Sequence, residues 1–243
     1  LRYKPMRELL QSYPEYVVAL AERNEKSIHP FEIEGGELAV DPLQYNDFIK
    51  SLGHVFRNSI AHGLESFEER VEKGKEEIGR VACKVIENPN GVTIVISDDG
   101  RGIDSTRIRN IALGKELFTK EAIDAMNDEE AIELIFMDGF SGAKEVDETA
   151  GRGVGLSAVK AELEKLGGSI QIRTILGKET QFLFFLPMTL SDSAREFYSF
   201  RQLDKPLLSA AEKLLKQDMG LQVNNLRYEE SSGGGKLSLR YVT

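Results

Sequence analysis

The chain has 243 residues, 41% hydrophobic and 29% charged, which suits one large domain or a domain with an appendage around a sizeable core. Its formal net charge of −9 leaves no broad basic face, which argues against a nucleic-acid binder or a polybasic membrane anchor. One cysteine, Cys83, rules out an intrachain disulfide, and no apolar run approaches the ~20 residues of a membrane span.

The opening segment reads as a helix, with Ser12 able to cap it, Pro14 in its first turn, and Tyr13, Val17 and Leu20 on one face. His29-Pro30 breaks it, and Phe31 to Val40 has room for a short strand. Asp41-Pro42 places an N-cap and an N1 proline at the start of a long helix. Its apolar stripe is Phe48, Leu52, Val55 and Phe56, and Gly63 can end it. Arg80 to Glu87 and Val92 to Ser97 read as strands joined through Asn88-Pro89-Asn90-Gly91, a hairpin signal. Cys83 falls on the Val81/Val85 face of the first strand and reads as a small buried hydrophobe. After Asp104 come a helical stretch, a polar segment from Leu117 to Glu130, and a short helix near Glu130 to Phe136. Leu156 to Leu166 reads as a helix stopped by Gly167-Gly168. Ser169 to Ile175 and Thr180 to Leu186 form a second hairpin that Pro187 closes. Beyond Leu190 the character changes: Lys205 to Met219 reads as an amphipathic helix, and Leu221 to Tyr228 and Lys236 to Val242 as strands. Strands and helices without a βαβ repeat predict an α+β fold. It is a two-layer sandwich of a mixed, mostly antiparallel sheet covered by helices, followed by a small αββ appendage. The expected division is 1–189 and 190–243.

Three clusters carry candidate chemistry. His54, Asn58 and His62 stand four apart on a helix and share a face. An Asn carbonyl is a hard oxygen donor suited to Mg2+, which leans on substrate phosphates, although a solvated helix face would look the same. Asp98-Asp99-Gly100-Arg101-Gly102-Ile103 follows a strand that can fix a carboxylate inside a pocket, where it would accept the exocyclic amino group of adenine. An acidic glycine turn explains the same residues, while a calcium loop of EF-hand type would need later ligands that are absent. Gly151-Arg152-Gly153-Val154-Gly155-Leu156 runs straight into a helix and can aim backbone N–H groups at phosphates. It lacks the Gly-Lys-Ser/Thr of a P-loop and the βαβ setting of a dinucleotide fingerprint.

Together, and in this order, the clusters resemble the N, G1 and G2 boxes of the ATPase superfamily that includes histidine kinases, gyrase, Hsp90 and MutL. The resemblance runs from roughly Met6 to Met188. His54-x-x-Arg57-Asn58-x-x-x-His62-Gly63 is similar to the N box of chemotaxis kinases of the CheA type. Leu134 to Ala143 and the lead-in Tyr13-Pro14-Glu15-Tyr16-Val17 are similar to other segments of those kinases. The single cysteine fits a reducing cytoplasm, and the resemblance implies an ATP- and Mg2+-dependent histidine kinase domain. Asn58 would coordinate Mg2+ between the ATP phosphates, His54 would lie near the γ-phosphate and help organise transfer, and His62 would line the pocket. Asp98 would bind the adenine amino group, with Gly100, Gly102 and Ile103 shaping that wall and Thr180 completing it. Gly151, Gly153 and Gly155 would cradle phosphates, with Leu156 opening the helix behind them, and Leu113 to Ala150 would be a mobile lid. Arg57, Arg101, Lys144, Arg152 and Lys160 are further phosphate candidates, Lys144 and Arg152 first among them.

Hydrolytic relatives carry Glu four residues before the Mg-binding Asn; His54 in that place favours phosphoryl transfer, which is mostly positioning and charge neutralisation. Ala61 departs from the Asp usual in CheA-type N boxes, which puts fine tuning of the pocket in doubt. His29 lacks the acidic neighbour and helical setting of a phosphorylatable histidine, so the acceptor is expected on a histidine domain of the same or another chain, with a response regulator downstream. A homodimer would form through regions that carry no recognisable signal. The chain begins at Leu1 rather than Met and is expected to be part of a longer protein. A non-transferring ATP-dependent switch, a serine-kinase regulator of the same superfamily and a degenerate interaction module remain open alternatives.

Overall fold

A computed structural model describes residues 3–88, 90–140, 155–187, 199–201, 223–231 and 234–241. The chain divides into two compact units, Leu1–Pro187 and Met188–Thr243.

In the first unit, β1 (Lys4–Pro5) leads into α1 (Met6–Leu9) and α2 (Tyr13–Arg23). Ser12 makes no side-chain cap: the turn of α1 runs into it, so it keeps a helical backbone instead of the extended one that capping needs. The segment expected to hold one strand holds two, β2 (Ile33–Gly35) and β3 (Ala39–Val40), with the chain turning at Gly35 and Gly36, at φ +76° and +85°. Asp41 caps α3 (Pro42–Ser51) by accepting from the Leu43 N–H. The long helix expected from here to Gly63 is interrupted. Ser51 Oγ bonds back to the Phe48 carbonyl at 2.6 Å and Gly53 follows, both of which weaken a helix. The chain restarts as α4 (Gly53–Arg57) and continues as a π-helical turn over Asn58–Gly63. A 2.7 Å bond from Leu64 N–H to the Ser59 carbonyl closes that wide turn.

After α5 (Phe67–Glu72) come β4 (Val81–Asn88) and β5 (Gly91–Asp98), an antiparallel hairpin with Asn88 opposite Gly91. Then follow α6 (Ser105–Gly114), α7 (Lys120–Ala125), α8 (Asp128–Glu133) and a 3-10 turn, Leu134–Phe136. The segment expected to be merely polar thus carries α7 and the start of α8. Thr119 caps the first, and the Asn127/Glu130 capping box starts the second. The last helix is α9 (Leu156–Lys165), followed by β6 (Ser169–Ile175) and β7 (Glu179–Pro187).

Among the described residues the main sheet has the order β2-β4-β5-β7-β6. Only the β2/β4 pair is parallel, so the sheet is mixed and mostly antiparallel, as expected for the α+β sandwich. Period-two alternation puts Val92, Ile94, Ile96 and Asp98 of β5, and Thr180, Phe182, Phe184 and Leu186 of β7, on the buried face. Helices α3, α4 and α9 pack together over this face. Phe48 meets Phe184 edge-on at 5.7 Å between ring centroids, and Phe56 sits between Tyr13 and Phe31. Each such ring contributes about 2–3 kcal/mol by leaving water. The polar residues on this face stand at the strand ends, Asp98 and Thr180, which is where a site opens.

The second unit is an antiparallel sheet of β8 (Ser199–Arg201), β9 (Val223–Ser231) and β10 (Gly234–Tyr241), ordered β8-β10-β9. The β9/β10 hairpin matches the expected pair of strands, β8 was not anticipated, and the helix expected over 205–219 lies outside the described residues. Among the described residues no helix is long and apolar enough to cross a membrane.

Candidate functional site

Asp98 ends the middle strand of the sheet, and strand register sets Thr180 of β7 directly opposite it. Both are buried, at 4% and 3% exposure. Burial pushes the Asp98 carboxyl up to about 6, and the charge of Asp99 adds to this. The Ser59 hydroxyl, the Gly100 N–H and the Lys75 ammonium oppose the rise. The Gly100 N–H donates to Asp98 Oδ1 at 3.1 Å. Ser59 Oγ lies close enough to act on the carboxylate, yet its geometry falls short of a hydrogen bond and it is buried without a partner.

The turn after Asp98 is held from three sides. Against the π turn, Gly100 packs so closely that an added Cβ would stand 2.2 Å from the Gly63 carbonyl oxygen. That carbonyl accepts the Arg101 N–H at 2.9 Å. Gly63 in turn lies against Asp98, where a Cβ would come within 3.1 Å of Oδ1. Against the β6/β7 hairpin, the Ile103 N–H donates to Thr174 Oγ1 at 2.9 Å, and Thr174 Oγ1 donates to the Glu179 carbonyl at 2.9 Å. The Gly177 N–H reaches the Arg101 carbonyl at 2.7 Å. Gly102 adopts φ +70°, and a side chain there would strike the Ile175 carbonyl. From the third side, the guanidinium of buried Arg70 grips the Asp99 carboxylate at 2.8 and 3.1 Å. Lys75 Nζ bonds the carbonyls of Asp99 and Gly100 at 2.8 and 2.7 Å. Buried Glu65 anchors that cluster, with Lys75 at 3.0 Å, Lys73 at 3.2 Å and Arg70 at 3.5 Å.

Above Asp98 opens a cleft of about 530 Å³, within the range of small-molecule sites. Of the residues singled out in the sequence, Asn58, His62, Asp98, Gly102, Ile103, Leu156 and Thr180 line it. Gly100 does not line it and lies beneath Asp98. Gly155 is the backbone N-cap of α9, with no side-chain cap bond, and stands outside the lining. His54 lies in α4, one turn before Asn58, and is not among the lining residues. Gly151, Gly153, Lys144 and Arg152 lie outside the described residues, as does the end of the expected lid, 141–150. Of the other basic candidates, Arg101 lines the cleft and pairs with Glu69 at 3.0 Å, whereas Arg57 and Lys160 do not line it.

Sequence reasoning missed the apolar wall of Ile108, Ile111, Ile135, Phe140 and Phe182, and the cation Arg107 at the rim. Ile108 and Ile111 do stand at helical spacing in α6, a signal that points to a face but not to a cleft. Ser59 and Arg101 also line the cleft, and Ser59 Oγ and Arg101 Nε are buried without hydrogen-bond partners among the described residues. The arrangement can receive a flat ring with one polar edge, the edge meeting Asp98 and Thr180.

Residues 48–190 match the family model described as histidine kinase-, DNA gyrase B-, and HSP90-like ATPase. The chain belongs to that ATPase family. Over 191 residues it is 36% identical to the chemotaxis protein CheA of Bacillus subtilis, covering 79% of this chain and 28% of that one. It is 35% identical over 190 residues to the gliding motility regulatory protein of Myxococcus xanthus, covering 78% and 24%. Against the sensor histidine kinase CheAY of Helicobacter pylori it is 37% identical over 190 residues, again 78% and 24%. The chain spans about a quarter of the length of these relatives. In this ATPase family chain the cleft, with Asp98 at its base, falls wholly inside the matched region.

Proposed function

We propose that this chain is the ATP-binding catalytic domain of a CheA-like histidine kinase, passing the γ-phosphoryl group of ATP to a histidine on another domain or chain. The observation that carries it is the buried Asp98/Thr180 pair at the base of a cleft with apolar walls, in a chain 36% identical to a CheA protein. A carboxylate accepts the adenine 6-amino group, and the walls of Ile108, Ile135, Phe140 and Phe182 cover the ring faces. Asn58, His62 and Arg107 stand nearer the triphosphate. Among the described residues no three His, Cys, Asp or Glu side chains group to hold a metal. The Asn58 carbonyl in the cleft wall is a hard oxygen donor that would hold a Mg2+ leaning on phosphate oxygens and water. When bound, that ion neutralises the phosphate charge. Asn58 would orient it, while His54, one turn back, would serve the incoming acceptor. Gly151, Gly153 and Gly155 would meet the phosphates through their N–H groups. An acceptor imidazole attacks in its neutral form, so the chain needs no strong base. The partners are then a phosphoacceptor histidine domain and a response regulator, and the compartment the cytoplasm.

Calorimetric titration of ATP with and without Mg2+ tests the reading. Wild type should bind, Asp98→Asn should abolish binding, and Asn58→Ala should lose the Mg2+ dependence. No binding at millimolar nucleotide would refute it.

A further inference from the structure

Two ionic residues remain that base recognition by Asp98 leaves unexplained: a fully buried Glu65 side chain and its partner Lys75, 15% exposed, which touches the turn more than twenty residues on. Buried charge is costly unless it does something that an apolar pair could not. Lys75 has a specific target. The peptide group between Asp99 and Gly100 has its carbonyl oxygen on Lys75 Nζ at 2.8 Å and its N–H on Asp98 Oδ1 at 3.1 Å. A cation on the oxygen of an amide draws electrons from its nitrogen and strengthens the bond that the N–H donates. The neighbouring Gly100 carbonyl, also on Lys75 at 2.7 Å, prevents the peptide from rotating.

Glu65 keeps the ammonium in place through bonds of 3.0 and 3.2 Å. A bond from Lys75 N–H to the Arg70 carbonyl at 2.9 Å fixes its backbone. Arg70 and Lys73 also pair with Glu65, so Lys75 is not needed merely to neutralise that carboxylate.

We propose that Lys75 is a positioning residue for base recognition. It clamps the Asp99–Gly100 peptide so that the Gly100 N–H holds Asp98 at the angle that meets the amino group of a purine. This deepens the nucleotide reading above and rests on it. Lys75 itself touches no ligand: it is not among the residues that line the cleft.

The test uses the full chain and Lys75→Met, with Lys75→Gln as substitute if the Met variant does not fold. One readout is ligand-free: the Gly100 amide proton, followed by NMR. The other is the dissociation constant for ATP. With Lys75→Met, the Gly100 proton should move upfield while the resonances of β6 and α9 stay in place. ATP affinity should fall about ten-fold, the worth of one charge-assisted bond. Lys75→Arg, which restores a cation, should recover most of both. If wild type binds ATP and Lys75→Met binds it equally well with the Gly100 proton unmoved, the positioning role is overturned and the nucleotide reading survives. If wild type fails to bind ATP, the nucleotide reading falls and takes the inference with it, whatever the amide does.

Discussion

A carboxylate as deeply buried as that of Asp98 resists ionisation, and its raised value of about 6 ties both stability and binding to pH. The sign follows from linkage. With the folded value above the unfolded 3.8, the stabilising contribution of Asp98 is fully present below about pH 4 and is lost as pH rises through about 6. At neutral pH the ionised group therefore costs the fold about 3 kcal/mol. Asp98→Asn should melt about 6–12 °C higher than wild type at pH 7.5, with the gap closing towards pH 4, as followed by circular dichroism. A lower melting point at pH 7.5 would refute the cost. Binding runs the other way. If the ionised form accepts the base, ATP affinity should weaken about ten-fold per unit below pH 6, and a flat profile between pH 5 and 8 would contradict it. On the proposed reading, binding would keep Asp98 against its cost to stability. Its place in the cleft was legible in the sequence because the whole motif is local, an acidic pair and two glycines after a strand. Lys75 was not, because its targets lie 24 and 25 residues on and a lysine in a charged stretch reads as solvated. Gly63 read as a helix end and as the last residue of the N-box motif, but its packing against Asp98, thirty-five residues on, was not legible.

At the scale of elements, the β6/β7 hairpin is the rear support of the site. Thr174 Oγ1 satisfies the Ile103 N–H and the Glu179 carbonyl together, so Thr174→Val should leave both without that partner. The expected loss is about 2 kcal/mol in urea unfolding and a several-fold weaker ATP affinity. Unchanged affinity would show that the turn stands without its support. The hairpins and α9 were legible from alternation and glycine punctuation. The π turn was not, because a five-residue hydrogen-bond step in one turn leaves no repeat to detect. Nor was the parallel seat of β2 beside β4, which three residues specify through partners fifty positions away.

At the scale of the molecule, every described residue that lines the cleft lies in the unit Leu1–Pro187. A chain cut after Pro187 should therefore bind ATP within about two-fold of the full chain and unfold in one transition. Loss of binding on truncation would assign the second unit a part in the site. The sandwich itself was legible, from the absence of a βαβ repeat and from the two hairpins. The apolar wall of the cleft was not, because its isoleucines and phenylalanines are indistinguishable from core until their neighbours are known.

The pairing of Asp98 with Thr180 also sets a schedule for synthesis. The two residues are joined through a long stretch of chain that includes α6 to α9 and β6, so the middle of the sheet closes against a large entropy of loop closure. A growing chain that has exposed Asn58 and Asp98 still lacks Thr180 and Phe182, which complete the cleft lining only when β7 pairs with β5. Nucleotide present at that moment would bind only the finished sheet, and so would draw the last step of folding towards completion.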